Sequence, residues 1–509
     1  MLQPDYSTVL YAVVAIFLGS CYFFLQRRRP GKAGKLPPCP VRPWPLVGNM
    51  FSIGEDMREQ LMVWHKQCGD LYSLYYGSTL VIVVNGWTTI KEVFVRQSAA
   101  SSDRPKVFFN EAAGMGEAGA AFSSGVTWKE NRAAVLKILR EFGMGKNLLA
   151  DKIQDEANCF VDQLVETKEE PIYLGHLTRV TVSNVISSII FGRRFGYEDP
   201  RFKKVVDGMV QVLECAKGAG AINFFPFLKY LPGDMFDGKK IQAGWGKLAN
   251  MIVEEIEDME KMDGECQKVE RTAENFINSY KRRQDNQEQS GKETTLNRLH
   301  MIKNCVDLFA AGTDTLSNTI VWCILYMLHS PDVQTKIHAE LDREVGQGRQ
   351  PTVEDQARLP YLGAVIKETQ RLANVVPHSI LRKTSEEITV GEYVIPQGTT
   401  LIPNLDSVLH DPEIWGSDVM EFNPERFLDK DGALIHREEL IPFSIGPRIC
   451  LGEAMAKMEL FLFLANLFQR FEFQAPDPQN LPTLKATVGL TAEATPFKVR
   501  CVDRFMSTN

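Results

Sequence analysis

The stretch PFSIGPRICLG, residues 442–452, decides the fold, and a predicted helix begins directly after it near Glu453. A cysteine just before a helix lies where backbone N–H groups and the helix dipole stabilise a thiolate, the form that ligates a metal. Gly446 and Gly452 flank Cys450, and residues without a Cβ permit tight turns and close approach of the backbone to a flat cofactor. A lone cysteine is most often structural. The surrounding pattern instead makes Cys450 a candidate metal ligand.

The pattern F-x-x-G-x-R-x-C-x-G resembles the haem-binding loop of the cytochrome P-450 superfamily, and it comprises Phe443, Gly446, Arg448, Cys450 and Gly452. The resemblance implies a mainly α fold with small β-sheets, and haem b held by the Cys450 thiolate. It also implies a monooxygenase that inserts one oxygen atom from O2 into an organic substrate. The thiolate in this family favours O–O cleavage. Arg448 is expected to bind a haem propionate.

A polar cluster, Ala311–Thr315, interrupts a long apolar helix. Gly312 and the neighbouring hydroxyls are expected to weaken regular helical hydrogen bonding and to open a pocket. By resemblance, Thr315 organises water beside bound dioxygen and Asp314 relays protons as a general acid. The alternative is a kinked helix with a hydrogen-bonded Asp. We predict that Thr315 and Asp314 are the catalytic residues.

Two further motifs resemble the family's structural and haem-binding elements. Glu368 and Arg371 have the spacing of a surface ion pair, but together with Arg426 they resemble a buried network on the proximal side of the haem. Trp128 and Arg132, spaced W-x-x-x-R, resemble the donors to the haem propionates. Further candidates for that binding role are Arg104, His378 and Arg382. For His378, a plain core or surface residue is the competing interpretation.

The substrate pocket is predicted by resemblance from residues 107–122, 209–227, 304–313, 376–380 and 488–491. Apolar side chains in or beside these regions suit a ligand held mainly by burial, although each is individually an ordinary core candidate. The predicted lining residues are Phe108, Phe109, Phe122, Phe224, Phe225, Phe309, Ala311 and Leu490. No carboxylate-binding cation stands out, so a fatty acid is allowed but not required.

The segments PPCPVRPWPLVGN (37–49), LREFGMGKN (139–147) and 376–405 resemble animal microsomal family 2 of these enzymes. Members of that family oxidise xenobiotics, steroids and fatty acids, and the sequence does not select among these lipophilic substrates. Cys39 occupies a position that is usually glycine in the hinge. That position is remote from the haem, so the change affects no catalytic assignment.

The N-terminal segment predicts a membrane anchor over residues 1–26. Thr8–Leu25 is long enough to cross a hydrocarbon core of about 30 Å, and Arg27–Arg29 follow it directly. A cleavable signal would carry its positive charge before the apolar run; a signal or a core helix is the alternative. The positive-inside rule places the rest in the cytosol, as a basic, proline-rich hinge (27–50) and a catalytic domain (51–509) at the endoplasmic reticulum membrane.

Composition narrows the possible partners. The sequence has 57 Lys+Arg and 64 Asp+Glu, a net charge of −7, which argues against nucleic acid as the main ligand. No G-x-G-x-x-G after a strand and no cysteine cluster indicates a built-in redox module. Electrons are therefore expected from NADPH through a flavoprotein reductase, with cytochrome b5 as a second donor.

A basic patch of Lys129, Lys137, Arg140 and Lys146 is a candidate docking surface, or else a solvated helix face.

Two other functions remain open at this stage. A haem-thiolate isomerase or dehydratase would share Cys450 but would not need Thr315 and Asp314. A non-enzymatic membrane haem sensor or carrier would bind ligand without turnover.

Helical spacing dominates the body, with little strand-like alternation. Helices are predicted at 128–139, 151–166, 201–215, 240–260, 296–329, 333–344, 361–372 and 453–468. Strands are predicted within 71–84, within 388–401 and near the C-terminus. The polar stretch 280–295 is predicted to be a solvated loop.

Overall fold

The computed structural model describes Gly19 and residues 34–505, with gaps at 55, 113, 144–146, 217–219 and 266–274. The predicted anchor, residues 1–26, lies outside the described residues except for Gly19. Within the described part, one helix, Arg298–His329, is long and apolar enough to cross a membrane, but 72% of its apolar window is buried inside the fold. We assign it as the core helix of the catalytic body.

The body is mainly helical, and every helix predicted from apolar spacing is present. The α-helices are α1 (Met57–Cys68), α2 (Trp87–Lys91), α3 (Phe108–Glu111), α4 (Gly119–Phe122), α5 (Gly125–Glu141), α6 (Asn147–Val165), α7 (Leu174–Ile190), α8 (Pro200–Ala216), α9 (Gly220–Phe224), α10 (Gly238–Glu265), α11 (Phe276–Gln289), α12 (Arg298–His329), α13 (Pro331–Glu344), α14 (Pro360–Ala373), α15 (Asp406–Leu409), α16 (Pro412–Trp415) and α17 (Glu453–Arg470).

The strands form small sheets beside the helices. They are β1 (Leu71–Tyr76), β2 (Thr79–Val84), β3 (Ile172–Tyr173), β4 (Arg382–Lys383), β5 (Ile388–Val390), β6 (Tyr393–Ile395), β7 (Thr400–Pro403), β8 (Phe471–Gln474), β9 (Ala486–Val488), β10 (Ala492–Ala494) and β11 (Lys498–Asp503). One sheet has the order β1-β2-β7-β4 and another β3-β11-β8, while β5-β6 and β9-β10 are two-stranded. In the first sheet β2 and β7 are parallel and the other pairs are antiparallel.

The prediction missed α1 and the short helices α2, α3, α4, α9, α15 and α16, and it also missed two longer helices, α7 and α11. The first, α7, is buried on nearly all sides, so it lacks the polar face that creates a 3.6-residue pattern. The second, α11, contradicts the predicted loop over residues 280–289. Its first turn buries Phe276, Ile277 and Tyr280, and Asn275 caps it by accepting from the N–H of Asn278. The polar remainder is a solvent-facing helix and not a loop.

The central helix α12 runs through the largest apolar core and packs against α7, α14 and α17. Gly312 does not break this helix, contrary to the prediction. A Cβ at Gly312 would lie 2.5 Å from the Cδ1 of Ile186 on α7, so the missing side chain lets the two helices approach closely. The glycine therefore serves helix packing.

The described part of the predicted hinge is bound to the catalytic body. The hydroxyl and N–H of Ser73 on β1 donate to the carbonyls of Pro37 (2.9 Å) and Pro38 (2.8 Å). Asn49 N–H donates to the carbonyl of Tyr75 at 2.6 Å. Cys39 donates from its thiol to the carbonyl of Val41 at 3.1 Å. These contacts fix the end of the proline-rich segment on the first sheet.

Candidate active site

The cysteine loop, residues 442–452, is closed by main-chain hydrogen bonds. The N–H of Cys450 donates to the carbonyl of Phe443 at 3.0 Å, and that of Ile449 donates to Gly446 at 2.9 Å. Gly446 has φ of +76°, and a Cβ there would lie 1.9 Å from the carbonyl oxygen of Phe94. Only glycine fits this close approach. The loop presents Cys450 as an exposed side chain at the start of α17.

The thiol of Cys450 is not acidic by position alone. Although Cys450 is exposed, desolvation by the protein packed around its thiol raises the pKa of Cys450, and the backbone N–H of Gly452 and the charge of Arg132 only partly oppose this rise. A bound metal ion would supply the missing stabilisation, because a coordinating thiol is deprotonated outright.

Four arginines from distant parts of the chain gather beside the cysteine loop. Their guanidinium groups donate to backbone carbonyls: Arg104 to Ala121 (3.0 Å), Ile380 (2.7 Å) and Leu381 (2.6 Å), Arg132 to Ile449 (2.7 Å), Arg382 to Ile445 (3.1 Å), and Arg448 to Ser102 (2.8 Å), Ala120 (3.3 Å) and Ser123 (2.6 Å). The Arg448 guanidinium also lies 3.8 Å from the ring centroid of Trp128.

The positive charge of this cluster is largely uncompensated. Burial and the neighbouring guanidiniums lower the pKa of Arg104 well below its usual value, that of Arg382 to about 10 and that of Arg448 to about 9. For all three arginines, burial is the largest cause of the lowered pKa. Guanidinium groups stay protonated in proteins, so the cluster carries a charge that an anion would stabilise.

Unpaired donors mark where such an anion would bind. The Nε and Nη1 of Arg382 and the Nε1 of Trp128 are buried and have no hydrogen-bond partner among the described residues. Buried polar groups in proteins are normally hydrogen-bonded. These donors, the positive charge and the exposed Cys450 fit a haem, whose carboxylates the arginines would bind and whose iron the sulfur of Cys450 would ligate. Trp128, Arg132, Arg382 and Cys450 would hold it.

The charged groups that act on His378 differ from those of the arginine cluster, although the Nε2 of this histidine is likewise buried without a hydrogen-bond partner among the described residues. Burial lowers the pKa of His378 to about 4, and the charged groups that act on it are Asp406, Arg58 and Asp56. Arg104, in contrast, is 5% exposed and lies within the arginine cluster. Its hydrogen bonds join residues 121 and 380–381, so it also organises the segments around the site.

The predicted catalytic pair lies on α12, with its two members facing different directions. Ala311 is exposed and Thr315, one turn later, is half-buried, so both border accessible space. The Thr315 hydroxyl donates to the carbonyl of Ala311 at 2.8 Å. Asp314 is 2% exposed, and its Oδ2 accepts a 2.8 Å hydrogen bond from the hydroxyl of Thr491. Burial raises the pKa of Asp314 to about 6, which suits proton transfer near neutral pH.

The predicted pocket residues divide into three groups. Phe309 has no exposed surface and packs edge-on against Phe202 at 6.3 Å, so it belongs to the core and its predicted lining role is wrong. Ala311 and Leu490 are exposed. The remaining residues make aromatic or cationic contacts: Phe108 and Phe122 with lysines, Phe109 with Trp245, Phe224 with Tyr76, and Phe225 with Phe227.

The three residues predicted as a structural network are brought together in the interior. Arg371 donates from Nε and Nη2 to the Glu368 carboxylate at 2.7 and 2.8 Å. Arg426 donates from Nε to the same carboxylate at 3.0 Å. Glu368 and Arg371 are 0% exposed, so the surface ion-pair interpretation does not apply.

Sequence reasoning missed two ion pairs that lie beside the predicted site. Arg179 on α7 places Nε 3.6 Å from the Oδ1 of Asp314. Lys303 on α12 is 2% exposed, pairs with Asp307 and lies over the ring of Phe122 at 4.7 Å. The i to i+4 spacing of Lys303 and Asp307 was a usable signal. The sequence contained no such signal for Arg179, because its partner Asp314 is far away in the chain.

An exposed cysteine before α17, an arginine cluster that fits an anionic cofactor, and a buried acid on a long helix define a haem-thiolate protein. Comparison with known proteins agrees. The model of the family "Cytochrome P450" matches residues 37–501. Cytochrome P450 2U1 of Homo sapiens is 35% identical over 526 residues, covering 98% of this chain and 94% of its own.

Two other relatives have similar identity. Cytochrome P450 2D4 of Rattus norvegicus is 35% identical over 484 residues, covering 93% of this chain and 94% of its own. Cytochrome P450 2J2 of Homo sapiens is 35% identical over 489 residues, covering 95% and 93%. The chain therefore belongs to the cytochrome P-450 family, and its relatives are microsomal family 2 enzymes, which confirms the resemblance seen in the sequence. It is a haem-thiolate monooxygenase.

Proposed function

We propose that the protein inserts one oxygen atom from O2 into a lipophilic substrate, with electrons from NADPH delivered by a flavoprotein reductase. The observation that carries the proposal is on α12, where an exposed Ala311 and a half-buried Thr315 share one face next to the buried acid Asp314. An apolar surface with a hydroxyl and a proton donor beside it suits an apolar substrate that must react with oxygen and protons.

The residues have distinct roles in this proposal. Haem, when bound through Cys450, supplies the oxygen-activating chemistry. Ala311 and Leu490 offer apolar surface to the substrate. Thr315 orients water beside the site of oxygen binding, and Asp314 holds a proton at Oδ1 or Oδ2 for transfer towards Thr315. The proton affinity of Asp314, raised by burial, makes it a proton donor near neutral pH.

Substrate-dependent consumption of NADPH and O2 in the presence of reductase tests this function. Lipophilic candidates are screened first by the shift in the visible spectrum of the ferric protein on binding. A monooxygenase consumes NADPH and O2 and forms product that contains one labelled oxygen from 18O2. Conversion without NADPH would indicate an isomerase or dehydratase. Binding without any conversion would indicate a sensor or carrier.

Thr315→Ala should reduce the fraction of NADPH electrons recovered in product, with the balance appearing as hydrogen peroxide. Positioned acid–base groups contribute about 10²–10⁴-fold to a proton transfer, and we expect the product yield per NADPH to fall at least about tenfold. Thr313→Ala is the matched control, since Thr313 is buried and bonded to Ser183 on α7 at 3.2 Å. Equal product yields from wild type and Thr315→Ala would refute the assignment.

The proposed reductase surface is the exposed face of α5. Lys129, Lys137 and Arg140 are exposed on this helix, while Lys146 lies outside the described residues. The same helix carries Arg132, whose side chain bonds the carbonyl of Ile449 next to Cys450 at 2.7 Å. An acidic partner bound here would therefore approach the side of the molecule that holds the cysteine loop.

Neutralising Lys129, Lys137 and Arg140 to Gln should slow reduction by the reductase about tenfold at low ionic strength. The reason is that charge complementarity mainly raises association rates and is screened by salt. Stopped-flow reduction at two salt concentrations measures the effect, which should shrink at high salt. A control variant neutralises exposed Lys204, Lys239 and Lys498 on other elements. The docking role is rejected if both triple variants are reduced at the wild-type rate.

Exposed apolar side chains support the proposed location at the endoplasmic reticulum membrane. Trp44 in the hinge is 62% exposed and Phe51 just after it is 80% exposed, and Phe227, Tyr230 and Met235 are 62%, 79% and 73% exposed. The two groups are adjacent, since Phe225 lies against Gly77 next to the hinge residue Leu46. Large exposed apolar patches indicate an interaction surface, and a membrane would cover this one.

A further inference from the structure

The hairpin β9–β10 near the C-terminus contacts the buried acid of the proposed proton relay. The hydroxyl of Thr491 donates to Asp314 Oδ2 at 2.8 Å, and the two residues are 6% and 2% exposed. They are separated by 177 residues in sequence. Threonine is the donor and the carboxylate the acceptor, so this bond stabilises the ionised form of Asp314.

The second carboxylate oxygen is held from the same hairpin through an arginine. Arg179 on α7 places Nε 3.6 Å from Asp314 Oδ1 and donates from Nη2 to Glu493 Oε1 at 2.8 Å. Glu493 lies on β10, two residues after Thr491, and pairs with Thr487 across the hairpin. Both oxygens of Asp314 are therefore positioned by the β9–β10 hairpin, one directly by Thr491 in its turn and one by Glu493 on β10 through Arg179.

Hydrogen bonds fix the backbone on both sides of Thr491, whereas Leu490 at the tip of the hairpin is exposed. The N–H of Ala492 donates to the carbonyl of Val375 at 2.8 Å, and the indole of Trp322 donates to the carbonyl of Ala492 at 2.9 Å. The turn closes with the N–H of Gly489 donating to Thr491 at 2.9 Å. Leu490, between them, is 47% exposed. A ligand that contacts Leu490 would therefore bind directly beside Thr491 and could shift it.

We propose that Thr491 and Arg179 are positioning residues for Asp314, and that the β9–β10 hairpin couples occupancy of the substrate pocket to proton delivery. The proposal rests on the proposed function of Asp314. At rest the Thr315 hydroxyl donates to Ala311, and the Asp314 oxygens face Thr491 and Arg179. The hairpin thus fixes the direction in which the acid presents its proton, and substrate at the hairpin tip adjusts it.

The charges around Asp314 define the expected pH dependence. Burial raises its pKa to about 6, Glu493 adds to the rise, and Arg179 on α7 and Thr491 in the hairpin turn oppose it. Removing the Thr491 hydroxyl should therefore raise the pKa further. An acid whose folded-state pKa lies above its unfolded value stabilises the fold at low pH, and this stabilisation is lost as pH rises through the folded-state pKa. In Thr491→Val, this stabilisation of the fold should be lost at a higher pH than in the wild type.

The experiment compares Thr491→Val, Thr491→Ser, Asp314→Asn and the Thr491→Val/Asp314→Asn double variant in the full-length holoenzyme. Two quantities are measured between pH 5 and pH 8: the thermal unfolding midpoint and the product formed per NADPH. Thr491→Val should lower product per NADPH about tenfold, as for loss of one hydrogen bond to a charged group, and move both pH profiles upward. Thr491→Ser, which keeps the hydroxyl, should behave like wild type.

The variants separate failure of the positioning role from failure of the relay. If Asp314→Asn leaves product per NADPH unchanged, the proposed proton relay is wrong. If Asp314→Asn impairs it while Thr491→Val matches wild type in both pH profiles, the relay stands and the hairpin role is overturned. The hairpin role would also be overturned if Thr491→Val had the same effect in the wild type and in Asp314→Asn. If Thr491 acts by positioning the Asp314 carboxylate, its substitution should have no effect once that carboxylate is gone.

Discussion

Cys450→Ser should abolish the red-shifted Soret band that a haem-thiolate protein shows when reduced under carbon monoxide. A soft thiolate donates more electron density to iron than the oxygen of serine, and Cys450 is the exposed cysteine among those in the described residues. Product formation should fall by at least about three orders of magnitude, because activation of oxygen depends on this ligand.

Spectra of the purified wild type and variant, recorded at equal haem content, measure the effect. Cys159→Ser is the matched control, since Cys159 is half-buried on α6 and burial raises the pKa of its thiol. It should keep the band and the activity. A red-shifted band that survives in Cys450→Ser would place the ligand elsewhere and overturn the site assignment.

The loop around Cys450 was predictable because its chemistry is local. The glycine that allows contact with Phe94, the cysteine and the start of α17 lie within a few residues of one another, so spacing alone defines them. The eight predicted helices were predictable for the same reason, since each buries one apolar face. By contrast, α7, which was not predicted, is buried on nearly every side and has no pattern to detect.

The pocket was only partly predictable, because a residue's sequence region does not give its direction. Phe309 was assigned to the pocket with Ala311, yet the two are two residues apart on a helix and so point about 200° apart. Ala311 and Thr315, one turn apart, do share the accessible face. Helical geometry applied to α12 would have excluded Phe309 before the structure was known.

The electrostatics of the site depend on contacts between distant segments. The arginines at 104, 132, 382 and 448 interact only after α5, β4 and the cysteine loop have packed together. Likewise, Thr491 and Arg179 reach Asp314 from a C-terminal hairpin and from α7. A single sequence contains no short-range pattern that indicates contacts between such distant residues. The motif therefore predicts the ligand, whereas the fold determines the charges around it.

Glu368→Gln should destabilise the fold by about 3–5 kcal/mol, the usual cost of removing one partner from a buried ion pair. Glu368 is 0% exposed and accepts from Arg371, Arg426 and the N–H of Asn423. Without this negative charge, the buried Arg371 loses its counterion, while Arg426 keeps only its 3.0 Å pair with Asp418. We expect the unfolding midpoint to fall on the order of 5–10 °C, measured by thermal unfolding monitored by circular dichroism.

Glu425→Gln is the control, because Glu425 is adjacent to Arg426 but forms an exposed pair with Lys336, with side chains 48% and 52% exposed. Surface pairs contribute about 0–1 kcal/mol, so its unfolding midpoint should stay near that of wild type. Equal midpoints for Glu368→Gln and wild type would show that water or a rearranged partner compensates Arg371.

The destabilisation should come from the unpaired charges and not from lost packing. Replacing Glu368, Arg371 and Arg426 together by Leu, Met and Met removes all three charges, and apolar substitutes for buried ion pairs are often neutral or stabilising. The triple variant should therefore unfold at a higher temperature than Glu368→Gln. If it unfolds at a lower temperature, the hydrogen bonds from Arg371 to the carbonyls of Leu409 and Val419, both 2.8 Å, are the stabilising contacts. Either result identifies what holds α14 to the segment that leads into the cysteine loop.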